Sequence, residues 1–223
     1  MKILFILILI IHIPTIYPEE LDTISVLQVI KTLVKNQEKV NLSYDATATI
    51  TFHTIEGDTK SVRRVYSRYF VDKGRIIKGI RLNTENKRKS PTDFPRYKEN
   101  DILPLFSPLS WDAIPYYHFY YQKDTTINGN ECMTVKYFPI KRSKDLSFGY
   151  VWISKKDTDL VALEMTASIP FTFTEYFTMK MYYIKLDSVW VPDEINTELL
   201  INFLGIYKRI VTFDQKVIKR YIK

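Results

Sequence analysis

The stretch Phe148–Met165, FGYVWISKKDTDLVALEM, reads as an apolar strand, a polar turn and a second apolar strand. Phe148, Tyr150 and Trp152 point one way, while Val151 and Ile153 point the other, because strand side chains alternate between the two faces of a sheet. Nothing in the hairpin resembles a catalyst, a metal ligand or a phosphate cradle. Its contribution is a wall, apolar on both sides.

The same grammar extends in both directions. In YDATATITFHT (44–54), Tyr44, Ala46, Ala48, Ile50 and Phe52 alternate with polar residues, the pattern of a half-buried antiparallel strand. Gly57-Asp58 and Asp72-Lys73-Gly74 turn the chain through two further strands. Asn128-Gly129 is a strong hairpin signal, and Asp187-Ser188 and Gly205 punctuate the last strands. The count is about nine to eleven strands. Ahead of them, Ile24, Leu27, Ile30, Leu33 and Val34 form an apolar stripe at helical spacing, with Asp22 placed to cap it. The predicted class is α+β, mostly β: one amphipathic helix and one long antiparallel sheet.

Residues 83–115 interrupt this series. They hold five of the ten prolines and have little periodicity, yet carry Leu103, Leu105, Phe106, Leu109 and Trp111. Proline cannot donate to a sheet ladder, and clustered apolar side chains need a surface to cover. The expectation is a long lid loop folded over an apolar face, with one short helix around LSWDAI (109–114).

Residues 1–18 pair Lys2 with an apolar run from Ile3 to Ile13, as a secretory signal peptide does. An uncleaved amino-terminal anchor is the other reading. Residues 19–223 are then expected to be one exported domain in the periplasm or cell envelope, held together by its core, since Cys132 is the only cysteine. Cys132 reads as a buried small hydrophobe. The net charge of +7 is concentrated, with 13 Lys or Arg against 4 Asp or Glu in residues 60–100. Export disfavours nucleic acid as the target of that charge, leaving an anionic membrane surface or an acidic envelope protein. The sequence contains no GxSxG, HExxH, Walker-type or GxGxxG motif, and only His53 and His118 follow the leader. No catalytic residue, cofactor or metal is expected.

The order of helix, strands, proline-rich excursion and hairpins resembles the LolA/LolB-like superfamily of outer-membrane lipoprotein carriers. YVWISKKDTDLVALEM (150–165) is similar to that superfamily's "vWId…pvkle" strand pair, and YYIKLDSVWVPDEI (182–195) to its "y…dg.W.P" hairpin. Residues 106–153 also resemble the middle domain of an uncharacterised family of Bacteroidota outer-membrane proteins. The resemblance implies an unclosed half-barrel, covered by helix and lid, whose apolar cavity holds a lipid or the acyl chains of a lipidated protein. On this reading Ile50, Phe52, Trp111, Tyr150, Trp152, Phe171, Phe173, Met179 and Met181 line the cavity of a monomer. Arg63, Arg64 and Arg68 are the candidates for a basic patch near the lid. The alternative is a non-catalytic interaction or scaffold module with a filled core.

Overall fold

In the described residues ten strands run in one antiparallel sheet, and the two edge strands are consecutive among them in sequence. The computed structural model describes residues 23–72, 75–84, 107–169, 173–186, 189–205 and 207–222. The order of elements is α1 (Thr23–Gln37), β1 (Leu42–His53), β2 (Thr59–Asp72), β3 (Arg75–Thr84), a 3-10 turn (Ile114–Tyr116), β4 (Tyr117–Ile127), β5 (Asn130–Pro139), β6 (Ser147–Ser154), β7 (Leu160–Ala167), β8 (Thr174–Leu186), β9 (Val189–Phe203) and β10 (Tyr207–Ile222). Spatially the strands lie β3-β2-β1-β10-β9-β8-β7-β6-β5-β4, so the sheet is not closed and forms a half-barrel. The chain leaves one edge at Thr84 and re-enters at the opposite edge at Tyr117. The proline-rich excursion therefore joins the two lips of the gap. Its residues 85–106, with Leu103, Leu105 and Phe106, lie outside the described residues, as do residues 1–18 and Asp22.

Cross-strand register defines the two faces. One row of directly opposed residues runs Phe119–Tyr137–Gly149–Met165–Met179–Thr197–Phe213–Ile50–Arg63 from β4 to β2. Opposed residues share a face, so this row lies on one side of the sheet. The helix sits on the same side: Val26, Ile30, Leu33 and Val34 of α1 are buried against Phe119, Val135, Tyr137, Val151, Leu163 and Met165. This is the inner face. Full burial of such side chains contributes about 1.5–3 kcal/mol each, which is what holds α1 in place.

The stripe on α1 differs slightly from the sequence expectation. Val26 is fully buried and Leu27 only partly, so the buried face is centred on Val26–Ile30–Leu33. Spacing alone defines a stripe; the curvature of the sheet beneath selects its centre. The turn at Asn128-Gly129 has both residues at positive φ, 49° and 79°, the geometry that Asn-Gly is chosen for. The expected short helix is a turn at 110–113 followed by the 3-10 turn, with Ala113 and Ile114 buried against the α1 core.

Gly149 is needed for close approach. A Cβ there would stand 2.0 Å from the backbone oxygen of Glu164 on β7. Tyr137 lies directly opposite Gly149, and its hydroxyl donates to that same oxygen at 3.0 Å. Burial pushes the Tyr137 hydroxyl well above the usual tyrosine range, so it stays a donor. Cys132 is fully buried on the outer side with Val161 and Trp190 in a small core of its own.

Candidate functional site

Among the described residues, cover over the inner face is not uniform. Along the row given above, Phe119, Tyr137 and Met165 are buried under α1, and Met179 packs against that core. Beyond them Thr197, Phe213 and Ile50 are half-exposed, and Arg63 is exposed. In a neighbouring inner row, Phe177–Leu199–Val211–Phe52–Ser61, Phe177, Leu199 and Phe52 are half-exposed and Ser61 exposed, with Val211 buried between them. The result is an apolar trough over β8, β9, β10 and β1 that begins where the helix-covered core stops. Arg63 stands at its margin, with its guanidinium 5.7 Å from the centre of the Phe52 ring. A trough with apolar walls and cations at its lip, Arg63 and also Arg209 opposite Ile201, can desolvate a hydrocarbon chain and meet an anionic head group.

The nine residues expected to line a single cavity divide into four groups. Ile50 and Phe52 lie in the trough, and Met179 and Met181 lie on the same face, partly buried against the α1 core. Tyr150 and Trp152 do not join them. Their neighbours Val151 and Ile153 are buried in the α1 core, so alternation sends Tyr150 and Trp152 to the outer face. There Lys180 lies 4.8 Å from the Trp152 ring and 3.6 Å from Glu164. Trp111 is 42% exposed in the turn before β4, where Leu109, Ala113 and Ile114 do the covering instead. Phe173 sits at the entrance to β8, its ring 4.8 Å from Phe203, and Phe171 lies outside the described residues.

The expected basic patch is also divided. Arg63 faces inward, while Arg64 and Arg68 face outward opposite Thr49 and Asp45. Arg68 donates to both carboxylate oxygens of Asp45, at 2.6 and 2.9 Å, and to the Tyr221 hydroxyl at 3.0 Å. Tyr221 in turn donates to Asp45 at 2.9 Å. Arg68 is thus the centre of a clasp joining β2, β1 and β10, and its hydrogen bonds hold the Asp45 carboxyl below the usual carboxylate range. His53 and His118 lie on β1 and β4, which are not neighbours in the sheet. Among the described residues, no three His, Cys, Asp or Glu gather in a metal-ligating group.

Phe177, Leu199, Ile201 and Phe213 were not singled out from the sequence. Phe177 continues the alternation of Met179 and Met181 and was within reach of that signal. Phe213 and Leu199 become trough residues because β10 pairs with β1, a contact between chain ends that no local pattern announces.

This architecture, in the described residues an open antiparallel half-barrel wrapped on one helix, is a fold that recurs among solved structures. A Vibrio parahaemolyticus domain described as of the outer membrane lipoprotein-sorting kind superposes with a TM-score of 0.52 at 12% identity, covering 91% of this chain and 94% of its own. A DUF1329 family protein from Desulfovibrio piger gives 0.46 at 11% identity, covering 90% and 93%. A LolA superfamily protein from Nitrosomonas europaea gives 0.38 at 9% identity, covering 89% and 93%. No curated relative matches the sequence significantly. Residues 75–215 match the model of the "Family of unknown function (DUF5686)", and the chain belongs to that family.

Proposed function

We propose that this chain is an exported, non-catalytic protein of the cell envelope that binds a hydrophobic ligand, a lipid or the acyl chains of a lipidated protein, in its inner-face trough. On this reading residues 1–18 are a leader and residues 19–223 a single periplasmic binding domain. The observation that carries the proposal is the half-exposed apolar run Phe213, Ile50, Phe52, Leu199 and Phe177, continuous with the core yet outside the cover of α1. Each methylene moved from water to such a wall gains about 0.8 kcal/mol, so a chain of about 14 carbons gains on the order of 10 kcal/mol gross. Ordering of the chain reduces that figure. The flexible thioethers of Met179 and Met181, at the inner end of the trough, suit ligands of varied shape. A role in lipoprotein sorting is the finer form of this proposal, supported by the description of the Vibrio domain.

The test is uptake of a fluorescent fatty acid or lipopeptide. Phe52→Asp and Ile50→Asp place a charge in the trough and are expected to reduce uptake at least about tenfold, since an unpaired charge does not enter an apolar site cheaply. Trp152→Ala, on the outer face, is expected to leave uptake unchanged. Equal loss in all three variants would defeat the assignment of the trough.

The alternative of a filled interaction module is favoured by a different feature. His118, Tyr120 and Phe138 cluster on the outer face of β4 and β5, with ring centroids 5.3 Å apart for the stacked Tyr120–Phe138 pair. Under that reading the chain takes up no lipid, and Tyr120→Ala releases a protein partner.

A further inference from the structure

The two rims of the half-barrel are chemically unlike. At one rim lie the β4–β5 and β6–β7 turns, and the strand-linking residues described there are polar: Asn128 and Gly129 in one, Lys155, Lys156 and Asp157 in the other. At the opposite rim lie the β1–β2, β5–β6, β7–β8 and β9–β10 connections and the approach to β4. These carry Ile55, Tyr116, Ile140, Phe173, Phe203 and Leu204, exposed by 46, 55, 60, 48, 45 and 72% respectively.

Backbone conformation sharpens the contrast. Four described non-glycine residues have positive φ: Asn128 (49°) and Thr158 (57°) at the polar rim, Phe173 (65°) and Leu204 (53°) at the apolar one. The left-handed region is disfavoured for large side chains and tolerated by Asn. At Asn128-Gly129 the turn has the residue its geometry prefers; at Leu204-Gly205 (φ 53° and 74°) a leucine stands in the same place and points into solvent. Neither packing nor turn chemistry accounts for a leucine there. A surface that takes it out of water does.

The charge at this rim indicates which surface. Described residues 54–64, 111–116, 140–146, 173–175, 203–205 and 207–209 hold eight Lys or Arg against five Asp or Glu. Lys208 pairs with Glu175 at 3.0 Å, and Arg142 ties the β5–β6 connection to the Ser168 carbonyl, which leaves Lys141 and Lys144 exposed beside Ile140. Apolar tips interspersed with cations match the boundary of an anionic bilayer, where tips enter the acyl region and amines meet phosphates.

We propose that this rim docks on an anionic phospholipid membrane, with Leu204, Ile140 and Phe173 as its inserting tips. The trough opens toward the same rim: its inner rows end at Phe52, Leu199 and Ile201, next to Phe203. Docking would therefore place the trough against the lipid phase. The docking surface itself does not depend on the trough holding a ligand.

The test is cosedimentation of the full exported chain with vesicles of phosphatidylglycerol and phosphatidylcholine, compared with phosphatidylcholine alone. A double variant, Leu204→Asn with Ile140→Asn, removes two tips and gives the turn its preferred residue. Its thermal midpoint is expected to equal or exceed that of the unaltered chain, and its partition into anionic vesicles to fall about tenfold or more. Fatty-acid uptake by the variant, measured in parallel without vesicles, is expected to be unchanged, so failure of the trough and failure of the rim are separable. Equal partition of the variant and unaltered chain would overturn the proposal, as would no preference for anionic vesicles. So would a dimer in solution that the double variant dissolves, with no vesicle binding by either.

Discussion

At the scale of single residues, the molecule's sharpest constraint is Gly149. Any side chain there collides with the Glu164 carbonyl oxygen, a backbone atom that cannot move without breaking the β6–β7 ladder. Gly149→Ala is expected to destabilise the fold by about 1–3 kcal/mol, the usual range for overpacking, as read from the shift in urea midpoint. The Arg68–Asp45–Tyr221 clasp gives a second expectation, of pH dependence. The folded carboxyl of Asp45 titrates below its unfolded value, so its stabilising contribution is complete above about pH 4 and is lost as pH falls through the lowered value. Asp45→Asn should therefore lower stability at neutral pH and flatten its decline in acid. An unchanged acid limb in that variant would show that Arg68 does not hold the carboxyl.

At the scale of elements, α1 decides which half of the sheet is core and which is trough. Leu33→Ala and Ile30→Ala, both at fully buried positions, are expected to cost about 2–5 kcal/mol each in denaturant unfolding. The elements themselves were largely legible in the sequence. Period-two alternation marked the strands, the Asn128-Gly129 turn marked a hairpin, and the stripe from Leu27 to Val34 marked the helix, because each signal is local. Of the candidate lining, the sequence indicates that Ile50 and Phe52 share a face, because their strand alternates cleanly, and the structure places that face inward; Tyr150 and Trp152 stand on the outer face instead. Aromatic bulk suggested a cavity wall, but the buried residues of β6 are the smaller Val151 and Ile153. Which face of a strand apolar on both sides turns inward is set by its partners, and those are distant in sequence.

At the scale of the whole molecule, an open sheet joins three features: a core under the helix, an apolar trough beside it, and a rim of exposed apolar tips at which the trough ends. The likeness to lipoprotein-sorting domains extends to the fold, and the asymmetry between the rims is a property of this chain's own residues. Carriage of a hydrophobic ligand is the central claim. Native mass spectrometry of the gently purified chain, with organic extraction of anything bound, tests it most directly. The account predicts a reproducible added mass that proves to be phospholipid, fatty acid or lipopeptide and that is absent from Phe52→Asp. A bare mass for the unaltered chain, with no uptake when lipid or lipopeptide is supplied, would contradict it.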